Sequence, residues 1–365
     1  MTRWEVLTDE RARLTWDEDL ARFDDCSPFQ SYGWGEYRRG LGWKPYRWVA
    51  LDDQNKVLAM MQGYLRRHPF GLGLVWSEGG PVGDLSLCNE SLQAAITSAT
   101  GLRRLYCRFR CDRQRNIEDV LRLGPQGWST PWSPLTSSYT MRLDLTQDES
   151  QLLASLERNW RRNLKLSRAA NLAIRPWPKP TVDEILSVYS SMQQVKGLEE
   201  QHSRAEIEQL LEHAKEKLII YRCDDESGQL ISLMACLVVG GQACSVLSAT
   251  SLRGRELHAS YGIYWAMIQH CRNLGIRTYD LAGIDPARNP GVYRFKRATG
   301  ATPVELLGEW DWASRPWLRW FGNWAISQRN RIRRAETVLK KPGLVKGEDT
   351  RTAATVGAAA MGGVN

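Results

Sequence analysis

The residue types best suited to chemistry lie between positions 279 and 296. The segment 279–284, Tyr-Asp-Leu-Ala-Gly-Ile, has the pattern of a strand that ends in an acidic residue and a glycine turn. A loop rich in Pro and Asn follows, and the segment 291–296 then carries Phe295 and Lys296 side by side. Acyl transfer requires a cation or N–H donors where the tetrahedral oxyanion develops. Lys296 could supply that charge and Phe295 could exclude water, although the spacing alone favours a solvated surface lysine.

No competing catalytic motif is found in the sequence. The serines lack a Gly-x-Ser-x-Gly elbow, and neither a Rossmann-type glycine fingerprint nor a Walker loop is present. The five histidines are isolated; His258 is the best candidate base among them, and a structural role is favoured even there. Cys107 and Cys111 share a face of a strand-like run, so we interpret them as reduced core thiols. The sequence therefore predicts no metal site and no bound cofactor.

The size and charge of the chain restrict its class and its partners. Its 365 residues allow two domains, and 42% hydrophobic with 25% charged residues is a globular composition. No apolar run approaches the roughly 18 residues of a spanning helix, and no signal-peptide core follows the N-terminus, so we expect a cytoplasmic protein. The net charge of +8 suits tRNA, a pyrophosphate or an anionic membrane. Most of the excess lies in residues 314–341, which hold eight basic residues and one acid.

Hydrophobic periodicity predicts an α+β fold. Strands are expected at residues 46–51, 57–66, 103–111, 139–145, 217–223, 229–239, 242–250 and 277–281. Capping boxes predict helices that begin at Thr146 with Glu149, at Thr181 with Glu184 and at Ser203 with Glu206. The helix after Thr146 carries a basic set on its polar faces, formed by Arg158, Arg161, Arg162, Lys165 and Arg168. Both halves thus mix helices with mostly antiparallel strands.

The motifs at 279–284 and 295–296, with the trailing segment 300–308, resemble the C-terminal signature of the Fem family. These are tRNA-dependent peptidyltransferases that build the cross-bridges of peptidoglycan. Further segments resemble the family in matching order, namely 30–43 with Trp34, Gly80-Pro81-Val82, Arg110-Cys111-Asp112, the basic helix at 158–170 and His202-Ser203-Arg204. The resemblance covers roughly residues 28–312 and leaves the tail outside.

The resemblance implies two acetyltransferase-like (GNAT-like) domains with a cleft between them. We expect the first at 1–145, completed by 305–330, the second at 146–304, and a basic helix with a disordered tail at 331–365. The Phe-Lys pair of the family corresponds to Phe295 and Lys296, with the lysine stabilising the transition state.

The same resemblance implies the other site residues. The phosphate-binding basic residues of the family correspond to Arg38 and Arg204, its cleft aspartate to Asp112, and Trp34 and Tyr293 join the substrate contacts. From the residues alone, surface salt bridges for the two arginines and a capping or turn role for Asp112 remain open.

Two features depart from the family. The run 245–250 lacks the tyrosine that relatives often have there, so the acceptor pocket is expected to differ. No long heptad run exists, so the coiled-coil arm that some members insert in the second domain is missing.

These observations predict an aminoacyltransferase that moves an amino acid from aminoacyl-tRNA to an amine of a peptidoglycan or other cell-envelope precursor, with a UDP- or lipid-linked muropeptide as acceptor. One alternative is an acyl-CoA-dependent N-acyltransferase of an envelope or exopolysaccharide pathway. Segments 272–277 and 297–302 begin the usual pyrophosphate loop, but neither completes it. A second alternative is a non-catalytic tRNA- or membrane-binding protein, against which the Phe295-Lys296 pair argues.

The segment 315–341 has the pattern of a basic amphipathic helix. Its apolar stripe comprises Trp317, Trp320, Phe321, Trp324, Ile332, Ala335 and Val338. Tryptophan, phenylalanine and arginine together suit the boundary of a membrane, so peripheral contact with its inner face is one expectation. The other is that the tryptophans pack against the first domain.

Overall fold

A computed structural model describes residues 2–196, 202–287 and 289–339. The first half contains β1 (Arg3–Val6), α1 (Asp9–Leu20), α2 (Tyr32–Gly40), β2 (Lys44–Leu51), β3 (Val57–His68), β4 (Leu72–Glu78), β5 (Val82–Gly83), α3 (Glu90–Thr100), β6 (Arg104–Gln114) and α4 (Ile117–Leu123). The second contains β7 (Tyr139–Asp144), α5 (Glu149–Ser155), α6 (Arg158–Ala169), β8 (Ala173–Pro176), α7 (Val182–Lys196), α8 (Arg204–His213), β9 (Leu218–Asp224), β10 (Leu230–Val239), β11 (Gln242–Thr250), α9 (Leu252–Glu256), α10 (Ala259–Asn273), β12 (Thr278–Gly283), α11 (Pro290–Arg297), β13 (Thr302–Ala313) and α12 (Pro316–Leu339).

The strands form one sheet that runs through both halves. Its order is β1-β2-β3-β4-β6-β13-β7-β12-β11-β10-β9-β8, with β5 paired to β3. Strand β13 joins the halves, because residues 302–305 pair with β7 and residues 306–313 pair with β6. Among the described strands, β4–β6 and β11–β12 pair in parallel and the other pairs are antiparallel. The α+β class and the mostly antiparallel pairing are therefore confirmed.

Strands β11 and β12 separate after a short stretch of pairing. Only 242–244 of β11 pair with 278–280 of β12. On its other edge β12 bulges, since Asp280 pairs with Arg142 and Gly283 with Thr140. Within the bulge Ala282 has a φ of 66°, a left-handed conformation that residues with a Cβ rarely adopt. The bulge turns the end of the motif at 279–284 away from regular pairing and opens a gap beside it.

Apolar side chains form a core in each half and a third cluster across them. Trp48 and Trp128 lie in the core of the first half, and Trp160 and Tyr279 in that of the second. The third cluster joins α2 to the second half, with Trp34 packed among residues of α7, α8 and β10. Fully burying one such side chain contributes about 1.5–3 kcal/mol. The contact between the halves is therefore a stable apolar one.

The capping box predicted at Thr146 is wrong. Thr146 instead bonds through its N–H and hydroxyl to the carboxylate of Asp144. The box is formed two residues later by Asp148 and Gln151, and it begins α5. A break at residues 156–157 then separates α5 from α6, so the expected single helix is two. The box at Ser203 is confirmed. At Thr181 the hydroxyl accepts from the Glu184 N–H and donates to the Glu184 carboxylate, and α7 begins at the next residue.

The two cysteines of β6 are buried thiols. Cys107 and Cys111 both lie in the core of the first half, as predicted. No group of three or more His, Cys, Asp or Glu side chains among the described residues is arranged to hold a metal ion. No described helix is both long enough and apolar enough to cross a bilayer.

Candidate active site

A cavity of ≈ 210 Å³ lies where the two halves meet. The first half lines it with residues 26–29, which lead into a short 3₁₀ helix, and with Arg110 and Asp112 near the end of β6. The second half lines it with β7, the start of β11 and the bulge of β12. We call this cavity the cleft. It brings together residues more than 200 positions apart in the chain.

Asp280 and Arg142 form the wall of the cleft in the second half. The Asp280 carboxylate accepts hydrogen bonds from Thr140 Oγ1 at 2.5 Å, from Arg142 Nε at 3.1 Å and from the Ala282 N–H at 2.8 Å. Arg142 also donates from Nη2 to the backbone oxygen of Asp112 at 2.6 Å. Arg142 therefore connects the carboxylate of one half to the backbone of the other.

Asp112 lies in the cleft on the opposite side. Its carboxylate accepts hydrogen bonds from Ser27 Oγ at 2.8 Å and from Arg110 Nε at 2.9 Å. Asp112 lies within β6 and caps no helix, so the structure does not support a capping role. Two aspartates and two arginines thus face one small space, and a carboxylate there can accept a proton or orient an amine.

Lys296 lies behind the bulge and is only 7% exposed. Its Nζ donates to the backbone oxygens of Ala282 and Gly283, both at 3.0 Å, and both residues line the cleft. Burial lowers the pKa of Lys296 below its ordinary value, and the nearby Asp280 carboxylate opposes part of that shift. The expectation from spacing alone, that Lys296 is a solvated surface lysine, is therefore wrong.

Phe295 and Tyr293 fix helix α11 in place. The Phe295 ring packs edge-on against Tyr264 at 4.9 Å and Tyr261 at 5.1 Å between ring centroids, and against Trp160 of α6 at 5.9 Å. Tyr293 is half-buried against the same core. The Phe295 side chain thus points into the core, where it holds the helix that carries Lys296. Its proposed role as a wall against water stays a prediction.

Arg38 and Trp34 meet at the buried carboxylate of Glu78. Arg38 donates to Glu78 Oε2 from Nε at 3.1 Å and also from Nη2, and Trp34 Nε1 donates to the same atom at 3.0 Å. Burial raises the pKa of Glu78, but the charges of Arg38 and Arg110 outweigh it and hold that pKa below its ordinary value.

Glu78 also links Arg38 towards the cleft. Glu78 lies opposite Arg110 in the register of the parallel strands β4 and β6, and Arg110 forms an ion pair with Asp112. A line of alternating charges therefore runs from Arg38 through Glu78 and Arg110 to Asp112. Sequence reasoning did not select Glu78, Arg110, Arg142 or Asp280 as site residues, although Asp280 stands in the motif that it singled out.

Arg204 is the first residue of α8 and its side chain is more than half exposed. It forms ion pairs with Asp183 and with Glu208, the latter at 3.7 Å. Helix α8 packs against α2, which carries Arg38. The structure gives each of the two arginines its own carboxylate partner. The ion pair of Arg204 lies at the surface, as the sequence left open, whereas that of Arg38 with Glu78 is largely buried. Their role in binding phosphate stays a prediction.

Helix α6 presents a row of cations to solvent. The basic set at 158, 161, 162, 165 and 168 is exposed, and this spacing places it along one side of the helix. No carboxylate of the described residues forms an ion pair with any of the five. The opposite side packs Trp160 against Phe295, so the row lies on the helix that contacts α11 directly. A polyanion held there would lie on the outer side of the helix whose inner side packs against Phe295.

Substituting Cys26 and Cys244, the two cysteines that line the cleft, is expected to spare activity. Burial raises the pKa of the Cys244 thiol well above its ordinary value, and the Asp280 and Asp112 carboxylates raise it further. Burial likewise raises the pKa of Cys26, to about 11. Both thiols are therefore protonated at neutral pH and are poor nucleophiles. Turnover of C26S/C244A should stay within about threefold of wild type, and an acyl-cysteine seen by mass spectrometry would contradict this.

Comparison with known proteins agrees with this architecture. Residues 181–325, which include β12, α11 and the Phe-Lys pair, match the FemAB family. Among solved structures, the crystal structure of FemX superposes with a TM-score of 0.71 at 15% identity, covering 85% of this chain and 97% of FemX.

Two further solved structures share the fold of this chain. A tandem GNAT protein from the clavulanic acid biosynthesis pathway has a TM-score of 0.53 at 12% identity, covering 87% of this chain and 99% of that one. The C-terminal domain of a putative lysylphosphatidylglycerol synthetase from Agrobacterium fabrum has a TM-score of 0.53 at 13% identity, covering 85% of this chain and 93% of that one. None of the curated proteins matches the sequence significantly. The GNAT-like fold class is thereby confirmed, and the FemAB match over residues 181–325 together with this fold identifies the chain as a transferase.

Proposed function

We propose that this protein transfers an amino acid from aminoacyl-tRNA to an amine of a peptidoglycan or other cell-envelope precursor in the cytoplasm. The observation that carries the proposal is the buried ammonium of Lys296, which is held against the cleft by the bulge of β12 in a segment of the FemAB family. A buried fixed charge stabilises a developing oxyanion more strongly than a solvated one, because water does not screen it.

The reaction joins the acceptor amine to the ester carbonyl of the charged tRNA. The amine attacks, a C–N bond forms and the carbonyl oxygen becomes an oxyanion beside Lys296. An ammonium has three N–H groups, and two are used by the oxygens of Ala282 and Gly283, which leaves one for the oxyanion. Asp112 accepts the proton that the amine loses. As the C–O bond breaks, that proton passes to the ribose oxygen that leaves.

The binding surfaces fit two polyanionic substrates. The cations of α6 suit the phosphates of tRNA, whose backbone carries a charge at every nucleotide. Arg38 and Arg204 suit the pyrophosphate of a UDP- or lipid-linked muropeptide, because a guanidinium binds phosphate in a bidentate manner. Trp34 beneath Arg38 and Tyr293 beside the Phe-Lys pair are the neighbouring substrate contacts. The chemistry at the cleft needs no cofactor, because the ester is already activated.

A mass measurement tests the proposal. The purified protein is incubated with charged tRNA or with acetyl-CoA, together with a panel of nucleotide- and lipid-linked muropeptides, and the products are weighed. We expect one aminoacyl residue to be added from charged tRNA and none when the tRNA is uncharged. Addition of an acetyl group from acetyl-CoA alone would replace the proposal with the CoA-dependent alternative. No product from either donor across the panel would favour a binding protein.

Removing Arg38 and Arg204 is expected to weaken binding of the acceptor far more than binding of the tRNA donor. Arg38→Ala alone would leave the Glu78 carboxylate buried without its main partner, so Arg38→Ala is combined with Glu78→Gln, whereas the exposed Arg204 is tested as Arg204→Ala. Loss of each charge-assisted contact costs about 1.5–3 kcal/mol, which is roughly ten- to a hundredfold in acceptor KM. Glu78→Gln alone is the matched control. Equal losses for acceptor and tRNA would assign both arginines to the fold.

A further inference from the structure

One side of helix α12 is anchored to the first half of the sheet. Leu318 is buried, and Gly322 lies flat on the ring of Tyr106, where an added Cβ would come within 3.1 Å of the ring. The buried carboxylate of Asp311 accepts hydrogen bonds from Arg319 Nε and Asn323 Nδ2, both at 2.6 Å. The first turns of α12 are thus held in one orientation about the helix axis.

The opposite side of these turns exposes four large aromatic residues. Trp317, Trp320, Phe321 and Trp324 are 53%, 56%, 45% and 43% exposed, and the rings of Trp320 and Trp324 stack with 6.4 Å between centroids. Trp132, itself half exposed, packs edge-on against Trp320. We call these four side chains with Trp132 the aromatic face. The helix therefore packs on the first half by its other side, and a continuous apolar surface of this kind marks an interaction site.

A further exposed aromatic residue lies at the same end of the central strands β3, β4, β6 and β13. Phe70, at the tip of the hairpin between β3 and β4, is 85% exposed. Its backbone oxygen accepts a hydrogen bond from Arg104 Nη1 at 3.1 Å. Ser314, which directly precedes α12 by two residues, bonds the backbone of Arg103 and Leu105 at 2.9 and 3.0 Å. The hairpin tip and the start of α12 are therefore both attached to residues 103–105.

The surface around the hairpin tip and the start of α12 carries only positive charge. Arg66 and Arg67 of the hairpin, Arg103, Arg104 and Arg315 are all exposed. The segments 66–73, 100–106 and 312–335 contain no acidic residue, and 314–341 holds eight basic residues with one acid. A nucleic acid would use the cations but leaves the protruding phenylalanine unexplained, and a protein partner does not require a surface without acids. Half-exposed indoles among arginines match the headgroup boundary of an anionic bilayer.

We propose that the aromatic face and Phe70 dock this protein on the surface of an anionic phospholipid membrane. Arginines contact lipid phosphates while the aromatic rings enter the headgroup boundary, and Asp311 keeps the helix turned so that the rings face the lipid. The inference does not depend on the proposed function. With that function, membrane docking would bring the cleft to a lipid-linked acceptor.

Vesicle sedimentation tests the inference on the full chain. Vesicles of phosphatidylcholine with a quarter phosphatidylglycerol are compared with pure phosphatidylcholine at 100 mM salt, a chosen condition under which exposed charges are only partly screened. Wild type should bind the anionic vesicles alone. Trp320→Ser/Trp324→Ser and Phe70→Ser should each weaken that binding by about tenfold, because each removes apolar area from the boundary. Ile117→Ser/Leu121→Ser, two equally exposed apolar residues on α4, is the matched control and should bind as wild type does.

Three results would overturn the inference. The first is that wild type binds both kinds of vesicle equally, and the second is that the α4 control loses as much vesicle binding as the aromatic variants. The third is that the Trp320/Trp324 variant loses tRNA binding but keeps its vesicle binding. Turnover with a soluble nucleotide-linked acceptor is measured on the same variants. It should be unchanged, which separates a failure at the membrane from a failure of the proposed transfer reaction.

Discussion

Replacing Lys296 with methionine is expected to lower turnover by about a hundred- to a thousandfold, the usual cost of losing one oxyanion donor. Methionine keeps the length and apolar stem of lysine, so the packing of α11 through Phe295 should persist. The charge at the cleft and the two hydrogen bonds to Ala282 and Gly283 are lost together. Turnover with saturating charged tRNA measures the effect, and the KM of the acceptor should change little.

The pH dependence distinguishes a catalytic charge from a structural one. Lys296 acts as a cation, and its pKa lies below its ordinary value because of burial. Wild-type turnover should therefore fall as the pH rises through that lowered pKa, and the variant should lack this decline. Arg297→Met, an exposed neighbour on the same helix, is the matched control and should keep full turnover. Normal turnover in Lys296→Met, with an unchanged melting temperature, would exclude the proposed role.

Removing the cations at 158, 161 and 165 of α6 is expected to weaken tRNA binding by at least about a hundredfold at low salt. Each phosphate contact releases counterions, so three lost contacts should reduce the slope of log affinity against log salt by about 3. The three side chains are exposed and form no ion pair with a described carboxylate, so alanine there should leave the fold intact. Filter binding at several salt concentrations gives both quantities.

A charge-matched variant controls for the change in net charge. Arg11, Arg13 and Lys56 are also exposed but lie on α1 and beside the β2–β3 turn. Their replacement by alanine should alter the salt slope by less than about 1. Equal losses in the two triple variants would mean that net charge, and not the row on α6, attracts tRNA. Weakened acceptor binding with unchanged tRNA binding would assign the row to the other substrate.

The sequence by itself determined the local elements and the chemistry they carry. Alternating apolar residues placed eight of the thirteen described strands to within a few positions, because side chains on a strand alternate between its faces whatever lies nearby. The helix starts after Thr181 and Ser203 followed from residue types three positions apart, with a complete capping box at Ser203. At Thr146 the same rule failed, because Asp144 offered a closer acceptor and Asp148 a competing cap. The four-residue spacing of Cys107 and Cys111 likewise fixed a shared face within one strand.

The tertiary structure alone decided how these elements meet. Asp112 faces Asp280 because β13 pairs with strands of both halves, and such a register depends on contacts across nearly 200 residues. The partner of Arg38 is Glu78, 40 residues away, and no local pattern announces that pair. Spacing alone predicts an exposed lysine at position 296. In the structure Lys296 is buried because the β12 bulge turns two backbone oxygens towards it, and it becomes the cation behind the cleft. Helical periodicity gave α12 an aromatic stripe, but the hydrogen bonds of Asp311 decide that it faces outward.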